Sequence, residues 1–181
     1  FKLISYIGEK KCHIVGLSMG AQIALYFYKK YPSLTKSLVL CDVPLGFQDF
    51  TESEREKFIS LRRKPIEDGT NLKIMAISIA NTLIGKKSNK SAYDKLVKSM
   101  EKLHRKTYLK AIDTFVNSTH YNVFSIIDIP VLVVVGELDN LTPVSMGKEI
   151  TAKIKGSILE VIPNAGHLSN IENSVEFNKV V

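Results

Sequence analysis

The segment Gly16-Leu17-Ser18-Met19-Gly20 marks a change of pattern. Before it, Cys12 to Gly16 is a short apolar run that follows Lys10 and Lys11 and reads as a strand. After it, Ile23, Ala24, Phe27 and Tyr31 recur with helical spacing until Pro32 ends the run. A strand that becomes a helix around one serine needs a tight, strained turn. Glycine on each side is expected to remove Cβ atoms that would meet the neighbouring elements. The serine is then pushed out at a helix N-terminus, where the dipole favours developing negative charge. The plainer reading is a glycine-rich turn with a capping serine.

The rest of the chain continues the alternation. Ser37 to Cys41 is a second apolar run, bounded by Asp42 and Pro44. Val131 to Val135, introduced by Pro130, has the make-up of a parallel strand buried on both faces. Thr142-Pro143 reads as an N-cap followed by proline at the first helical position, opening a helix to about Ile154. Ile158 to Ile162 is a further strand closed by Pro163, and a last helix begins near Asn170. Phe1 to Gly8 reads as the end of a helix stopped by glycine.

Between Pro44 and His120 only helical periodicity is present. A charged helix is expected from Glu52 to Arg63, stopping before Pro65. Leu72, Met75, Ala76, Ile79 and Leu83 share one face of a second helix. Tyr93, Leu96, Val97, Met100 and Leu103 mark a third, and Tyr108, Ala111, Ile112, Phe115 and Val116 a fourth. The order predicts an α/β parallel sheet of about four strands with an inserted four-helix cap. Residues 1–43 and 126–181 would form the core, and 44–125 the cap.

Composition narrows the function. The 181 residues are 45% hydrophobic and 24% charged, enough for one packed domain. The longest membrane-span candidate, Ile74 to Ile84, is short and interrupted by Ser78, Asn81 and Thr82. The net charge of +7 is scattered. Its densest cluster, Lys86, Lys87 and Lys90, has no interleaved aromatics and reads as a solvated loop, so no nucleic-acid partner is expected. Cys12 and Cys41 fall at opposite ends of adjacent parallel strands and are expected to be reduced. With no secretory signal before the fold, a cytoplasmic setting is expected, and Asn89-Lys-Ser91, Asn117-Ser-Thr119 and Asn140-Leu-Thr142 are read as chance glycosylation patterns. Gly85-Lys86-Lys87-Ser88 lacks the first glycine and the preceding strand of a phosphate loop. No pair of His or Cys has metal-ligand spacing, so no metal is expected, and there is no dinucleotide fingerprint.

A serine nucleophile needs a base. His13 lies inside a strand and is expected to be packed. His104 falls between cap helices, and His120 at the cap exit. His167 follows a strand, in Pro163-Asn-Ala-Gly-His167, on the same rim as Ser18, and is the preferred base. The base needs an acid to hold its tautomer. Asp139, in Gly136-Glu-Leu-Asp139, is favoured. Asp42 competes from the end of its own strand, and Glu137 is a lesser candidate.

With these three motifs in the order serine, acid, histidine, the chain resembles the α/β-hydrolase superfamily over essentially its whole length. It is most similar there to 3-oxoadipate enol-lactonase-like esterases. The narrower similarity rests on Gly136-Glu-Leu-Asp-Asn-Leu-Thr-Pro143, Pro163 to His167, Ile171-Glu172 and Arg62-Arg-Lys-Pro-Ile-Glu-Asp-Gly69. The resemblance implies Ser18 as nucleophile, His167 as general base, Asp139 as orienting acid and the Met19 backbone N–H as an oxyanion donor. A second donor would come from a loop ahead of the serine that this chain does not contain. The chain is accordingly expected to lack the N-terminal third of such a protein, leaving the Cys12 to Gly16 edge unpaired. The implied reaction is cofactor-free hydrolysis of a small ester or lactone, with no membrane partner. Carbon–carbon bond hydrolysis, thioester hydrolysis and a non-catalytic ligand-binding role are the alternatives. Arg55, Arg62, Arg63 and Arg105 are candidate clamps for an acidic substrate. Met75, Ile79, Leu83, Met100 and Phe115 would wall an apolar pocket or pack the cap.

Overall fold

The computed structural model describes residues 1–47, 50–86, 90–117 and 121–181. Four strands, β1 (Cys12–Leu17), β2 (Thr35–Cys41), β3 (Val131–Gly136) and β4 (Ile158–Ile162), form a parallel sheet in the order β1-β2-β3-β4. Helix α1 (Lys2–Tyr6) precedes β1, and α2 (Met19–Lys30) joins β1 to β2. Between β2 and β3 lie α3 (Glu52–Glu67), α4 (Leu72–Leu83), α5 (Lys90–Met100), α6 (Arg105–Val116) and the short α7 (Tyr121–Phe124). Helix α8 (Val144–Lys153) links β3 to β4, and α9 (Ser169–Glu172) and α10 (Ser174–Val180) end the chain. Four of the helices, α3 to α6, make up the cap.

Side chains alternate across the sheet, and both of its faces carry a packed layer over the central strands β2 and β3. On one face Leu38, Leu40, Val131, Val133 and Val135 pack under α2 and α8, meeting Leu25, Tyr28, Ile150 and Ile154. On the other, Cys41, Val134 and Ile162 pack against Phe177 of α10. The valine run of β3 serves both layers. Tyr28 anchors α2 to the approach to β3, donating its hydroxyl to Asp128 at 2.6 Å. Both cysteines are free thiols, and burial first, then the nearby Asp42 charge, pushes Cys41 up to about 12.

The cap has its own small core of Phe47, Ile112 and Val116, with Phe58 and Phe115 against it. Helix α3 opens with a capping box, in which Thr51 caps the Glu54 N–H and Glu54 accepts from the Thr51 N–H. Among the described residues no helix is long and apolar enough to cross a membrane.

The local expectations need five corrections. Helix α3 runs through Pro65 to Glu67. The proline falls in the last turn, and the carbonyl it leaves unpaired belongs to Leu61, which is exposed to water. Pro143, not Thr142, is the N-cap of α8, because the threonine hydroxyl is bonded elsewhere. The final helix is broken at Asn173, which caps α10. His13 is exposed on the edge strand β1, beside Ser37 at 2.6 Å, where Val15 is also 55% exposed. The two elbow glycines are also unequal. A Cβ on Gly16 would lie 2.3 Å from the Gly20 carbonyl oxygen and 2.6 Å from the Ala21 nitrogen, whereas one on Gly20 would meet nothing within 4 Å.

Gly16→Ala should therefore destabilise the chain by about 3 kcal/mol, since the collision is with backbone that cannot rotate away. Gly20→Ala should be neutral or stabilising by up to about 1 kcal/mol, as alanine favours helix. Urea unfolding of both variants checks the contrast.

Candidate active site

The carboxyl ends of the four strands converge on one rim. Leaving β1, Ser18 takes φ 52° and ψ −115°, in the left-handed half of backbone space that a residue with a Cβ rarely adopts. Ladder hydrogen bonds hold it there, with its N–H donating to the Cys41 carbonyl at 2.8 Å. Ser18 is the N-cap of α2, yet its side chain caps nothing. Its Oγ instead lies 2.8 Å from His167 Nε2. That geometry argues against the plain capping-serine reading.

His167 is 3% exposed, and its Nδ1 lies 2.8 Å from Asp139 Oδ2. Asp139 is fixed by its own loop. Its Oδ1 accepts the N–H groups of Leu141 at 2.8 Å and Thr142 at 3.0 Å, while the Thr142 hydroxyl donates to Oδ2. Burial alone would push the Asp139 carboxyl up. The hydrogen bond and charge of His167 and the Thr142 bonds outweigh it, and the carboxyl sits below its ordinary value. Ser18, His167 and Asp139 thus form one hydrogen-bonded chain.

Asp42 reaches the same rim but does not bond His167. Fully buried and left-handed at φ 45°, it accepts the Gly136 N–H at 2.8 Å and the Ser169 hydroxyl at 2.6 Å. Burial pushes its carboxyl up to about 7, against the Ser169 and Gly136 bonds and the His167 charge, which lower it; Asp139 adds to the rise. Glu137 is exposed and accepts the Asn164 N–H at 2.8 Å, so it braces the histidine loop from outside. His104 is exposed and caps α6 through Thr107, and His120 lies outside the described residues.

The sequence reading missed Thr142, Ser169 and Glu172 as supports of this chain. Thr142 was legible in principle, because Asp-x-x-Thr spacing brings a carboxylate back to the backbone N–H and hydroxyl three residues on. Ser169 depends on a contact across the fold and carries no local signal, and Glu172 entered the sequence reading only as a residue of the resemblance, not as a partner of the histidine loop.

The four candidate arginines are engaged within the cap. Arg55 donates to the Phe47 carbonyl and Arg105 to that of Thr70, Arg63 pairs with Glu67 and Asp113, and Arg62 lies 3.5 Å over the Phe58 ring. An apolar cleft of about 330 Å³ opens between α2 and α6, lined by Met19, Ile23 and Tyr26 on one side and Ala111 and Phe115 on the other; it reaches Met19, but Ser18, His167 and Asp139 do not line it. Of the apolar cap residues considered above, only Phe115 lines it; Met75 and Met100 are buried in the cap. Among the described residues no group of three or more His, Cys, Asp or Glu is arranged to hold a metal ion.

The family model for the alpha/beta hydrolase fold matches residues 2–174. The chain belongs to the α/β-hydrolase family. It is 27% identical over 192 residues to a 2-hydroxy-6-oxononadienedioate/2-hydroxy-6-oxononatrienedioate hydrolase of Klebsiella pneumoniae, covering 99% of this chain and 64% of that protein. It is 26% identical to a pimeloyl-[acyl-carrier protein] methyl ester esterase of Neisseria meningitidis, covering 91% of this chain and 65% of that one. A thermophilic esterase from Thermogutta terrifontis superimposes with a TM-score of 0.88 at 21% identity, over 98% of this chain and 66% of the other, and shows the shared fold. The chain thus spans about two thirds of the length of the relatives it matches.

The raised Asp42 carboxyl sets a pH dependence. Its folded value of about 7 exceeds the ordinary carboxylate value near 3.9, so the folded state keeps a proton that the unfolded chain has released. The stabilisation is fully present below about pH 4 and is lost as pH rises towards and through 7, an effect of roughly 4 kcal/mol. Asp42→Asn should remove this slope and raise stability above pH 7 relative to the parent. Urea unfolding at intervals from acid to pH 8 measures it, and an unchanged slope would contradict the assignment.

Proposed function

We propose that this chain carries the nucleophile, base and acid of a serine hydrolase that cleaves a small carboxylic ester or lactone. The observation that carries the reading is the chain of two 2.8 Å contacts from Ser18 Oγ through His167 to Asp139. Asp139 keeps the Nδ1 proton on the imidazole and leaves Nε2 free to accept the serine proton. Ser18 Oγ attacks the carbonyl carbon as His167 takes its proton. The Met19 N–H, first in α2, offers a hydrogen bond to the resulting oxyanion. His167 then protonates the leaving alcohol, and an acyl-enzyme remains. Water, deprotonated by His167, releases the acid and restores Ser18. In this reading residues 44–125 roof the site, and the cleft beside Met19 takes the apolar part of the substrate. The narrower likeness to enol-lactonase-like esterases makes a lactone one candidate substrate.

A second reading is carbon–carbon bond hydrolysis on the same three residues. It is favoured by the matches to the dienedioate hydrolases of Klebsiella pneumoniae and Pseudomonas putida. There the leaving group is a stabilised carbanion, and His167 would protonate carbon instead of oxygen.

A fluorophosphonate probe followed by peptide mass spectrometry tests the shared chemistry. The adduct should map to Ser18 and vanish in Ser18→Ala. Asp139→Asn should slow labelling by about three to four orders of magnitude, as expected when the tautomer is no longer held. Labelling elsewhere, or undiminished in Ser18→Ala, would overturn the reading. Faster turnover of a dienedioate-type diketone than of aryl esters and lactones would favour the second reading, and lactone binding with at most one slow turnover a non-catalytic relative.

A further inference from the structure

The loop that carries His167 is held from behind by a buried carboxylate. Glu172, in α9, is 6% exposed. Its Oε2 accepts the N–H of Gly166 at 2.9 Å, and its Oε1 accepts that of Leu168 at 3.0 Å. Those are the N–H groups of the residues on either side of His167. Oε2 also accepts the N–H of Gly85, just past the end of α4, at 2.8 Å. His167 completes the seam by donating its own N–H to the Leu83 carbonyl at 2.9 Å.

The seam is built for backbone contact. A Cβ on Gly166 would lie 2.3 Å from the Gly85 nitrogen, and one on Gly85 would lie 2.9 Å from the Gly166 nitrogen. A buried carboxylate is unfavourable unless its lone pairs are met. Here three peptide donors meet them, and each bond to the carboxylate is charge-assisted. A side chain that only filled space would gain nothing from charge at this position.

We propose that Glu172 is a positioning residue for His167, clasping the histidine loop to the end of cap helix α4 so that core and cap jointly set the approach of the imidazole to Ser18. The inference rests on the reading of His167 as the general base. A cap movement that displaced residues 83–85 would break the Glu172–Gly85 and His167–Leu83 bonds together. It would thereby move the base as well as the roof. A misplacement of this kind costs far more in rate than in stability, because proton transfer requires the imidazole within hydrogen-bond reach.

The test uses the full chain and a fluorophosphonate probe. Glu172→Gln keeps the volume but turns one acceptor oxygen into a donor, so at least one of the three N–H groups faces a like partner. The second-order rate constant for Ser18 labelling is followed from about pH 5 to 9 and scaled to the folded fraction from circular dichroism. A fall of roughly tenfold or more is expected, with a displaced pH midpoint and an unchanged folded fraction. Gly85→Ala, which keeps the carboxylate but forces the seam apart, should move rate and midpoint in the same direction. It also carries the test if Glu172→Gln does not fold. A rate constant and midpoint equal to the parent's in a folded variant would overturn the proposal, since a purely structural role alters only the folded fraction. The two failures are distinct: a parent not labelled at Ser18 removes the base reading and this inference with it. Equal labelling of parent and variant removes this inference alone.

Discussion

The site depends on the way the parallel ladder overruns the ends of its strands. Cys41 is in register with Leu17, Val134 with Cys41, and Ile162 with Gly136. One residue beyond each of β1, β2 and β3, the next N–H still donates into the neighbouring strand: Ser18 to Cys41, Asp42 to Val134 and Glu137 to Ile162. Each chain is therefore held at the point where it leaves the sheet. Backbone conformations that would relax in a free loop, such as the positive φ of Ser18 and Asp42, persist because flanking peptide bonds over-determine them. Sheet hydrogen bonding thus sets where the serine, Asp42 and the loop that carries Asp139 leave the sheet.

From that rim the layers approach each other through glycine. A Cβ on Gly136 would lie 2.1 Å from the Gly166 carbonyl oxygen, and Gly166 in turn abuts Gly85. Three glycines from β3, the histidine loop and the cap thus stack backbone on backbone. The stack brings Leu138 N–H to the Ala165 carbonyl at 2.8 Å and carries the acid loop within reach of the imidazole. Only peptide groups and the Glu172 carboxylate fit in this space, so polar contacts cross it where side-chain packing would otherwise lie.

The parts legible in the sequence are those that local physics dictates. Helix α4 occupies Leu72–Leu83, where apolar periodicity puts it, and β4 occupies Ile158–Ile162, the apolar run that Pro163 closes. The inserted cap follows from the loss of strand patterning after Pro44. The errors lie where tertiary contacts overrule local preference. Pro65 is tolerated inside α3 because the carbonyl it orphans belongs to exposed Leu61. Thr142 looks like a cap, but a carboxylate nearby makes a better partner for its hydroxyl. His13 reads as packed only if its strand is covered on both faces, and the face of β1 that bears His13 and Val15 is open. Between Asp42 and Asp139 the sequence offers only a preference, since both follow strands that end on the same rim. In the structure it is Asp139 whose Oδ2 stands 2.8 Å from Nδ1, while Asp42 does not bond the imidazole.

Those two aspartates also show how one fold gives like groups unlike roles. Both carboxyls are buried beside the same imidazole, and the His167 charge lowers both. Asp139 has the direct bond to His167 and three donors from its own loop, and it stays ionised. Asp42 accepts two peptide N–H groups and a hydroxyl but no bond from the imidazole, and burial first, with a small addition from the Asp139 charge, pushes it to about 7. Burial, with the Asp139 charge a lesser addition, raises Asp42, while the bonds and charge of His167 and the Thr142 bonds outweigh burial at Asp139, so the two carboxyls separate. In the proposed reaction the imidazole gains a proton and needs one fixed counter-charge on its Nδ1 side. The arrangement supplies that charge through Asp139. The other carboxyl remains a hydrogen-bonded tie between the acid loop and the histidine loop.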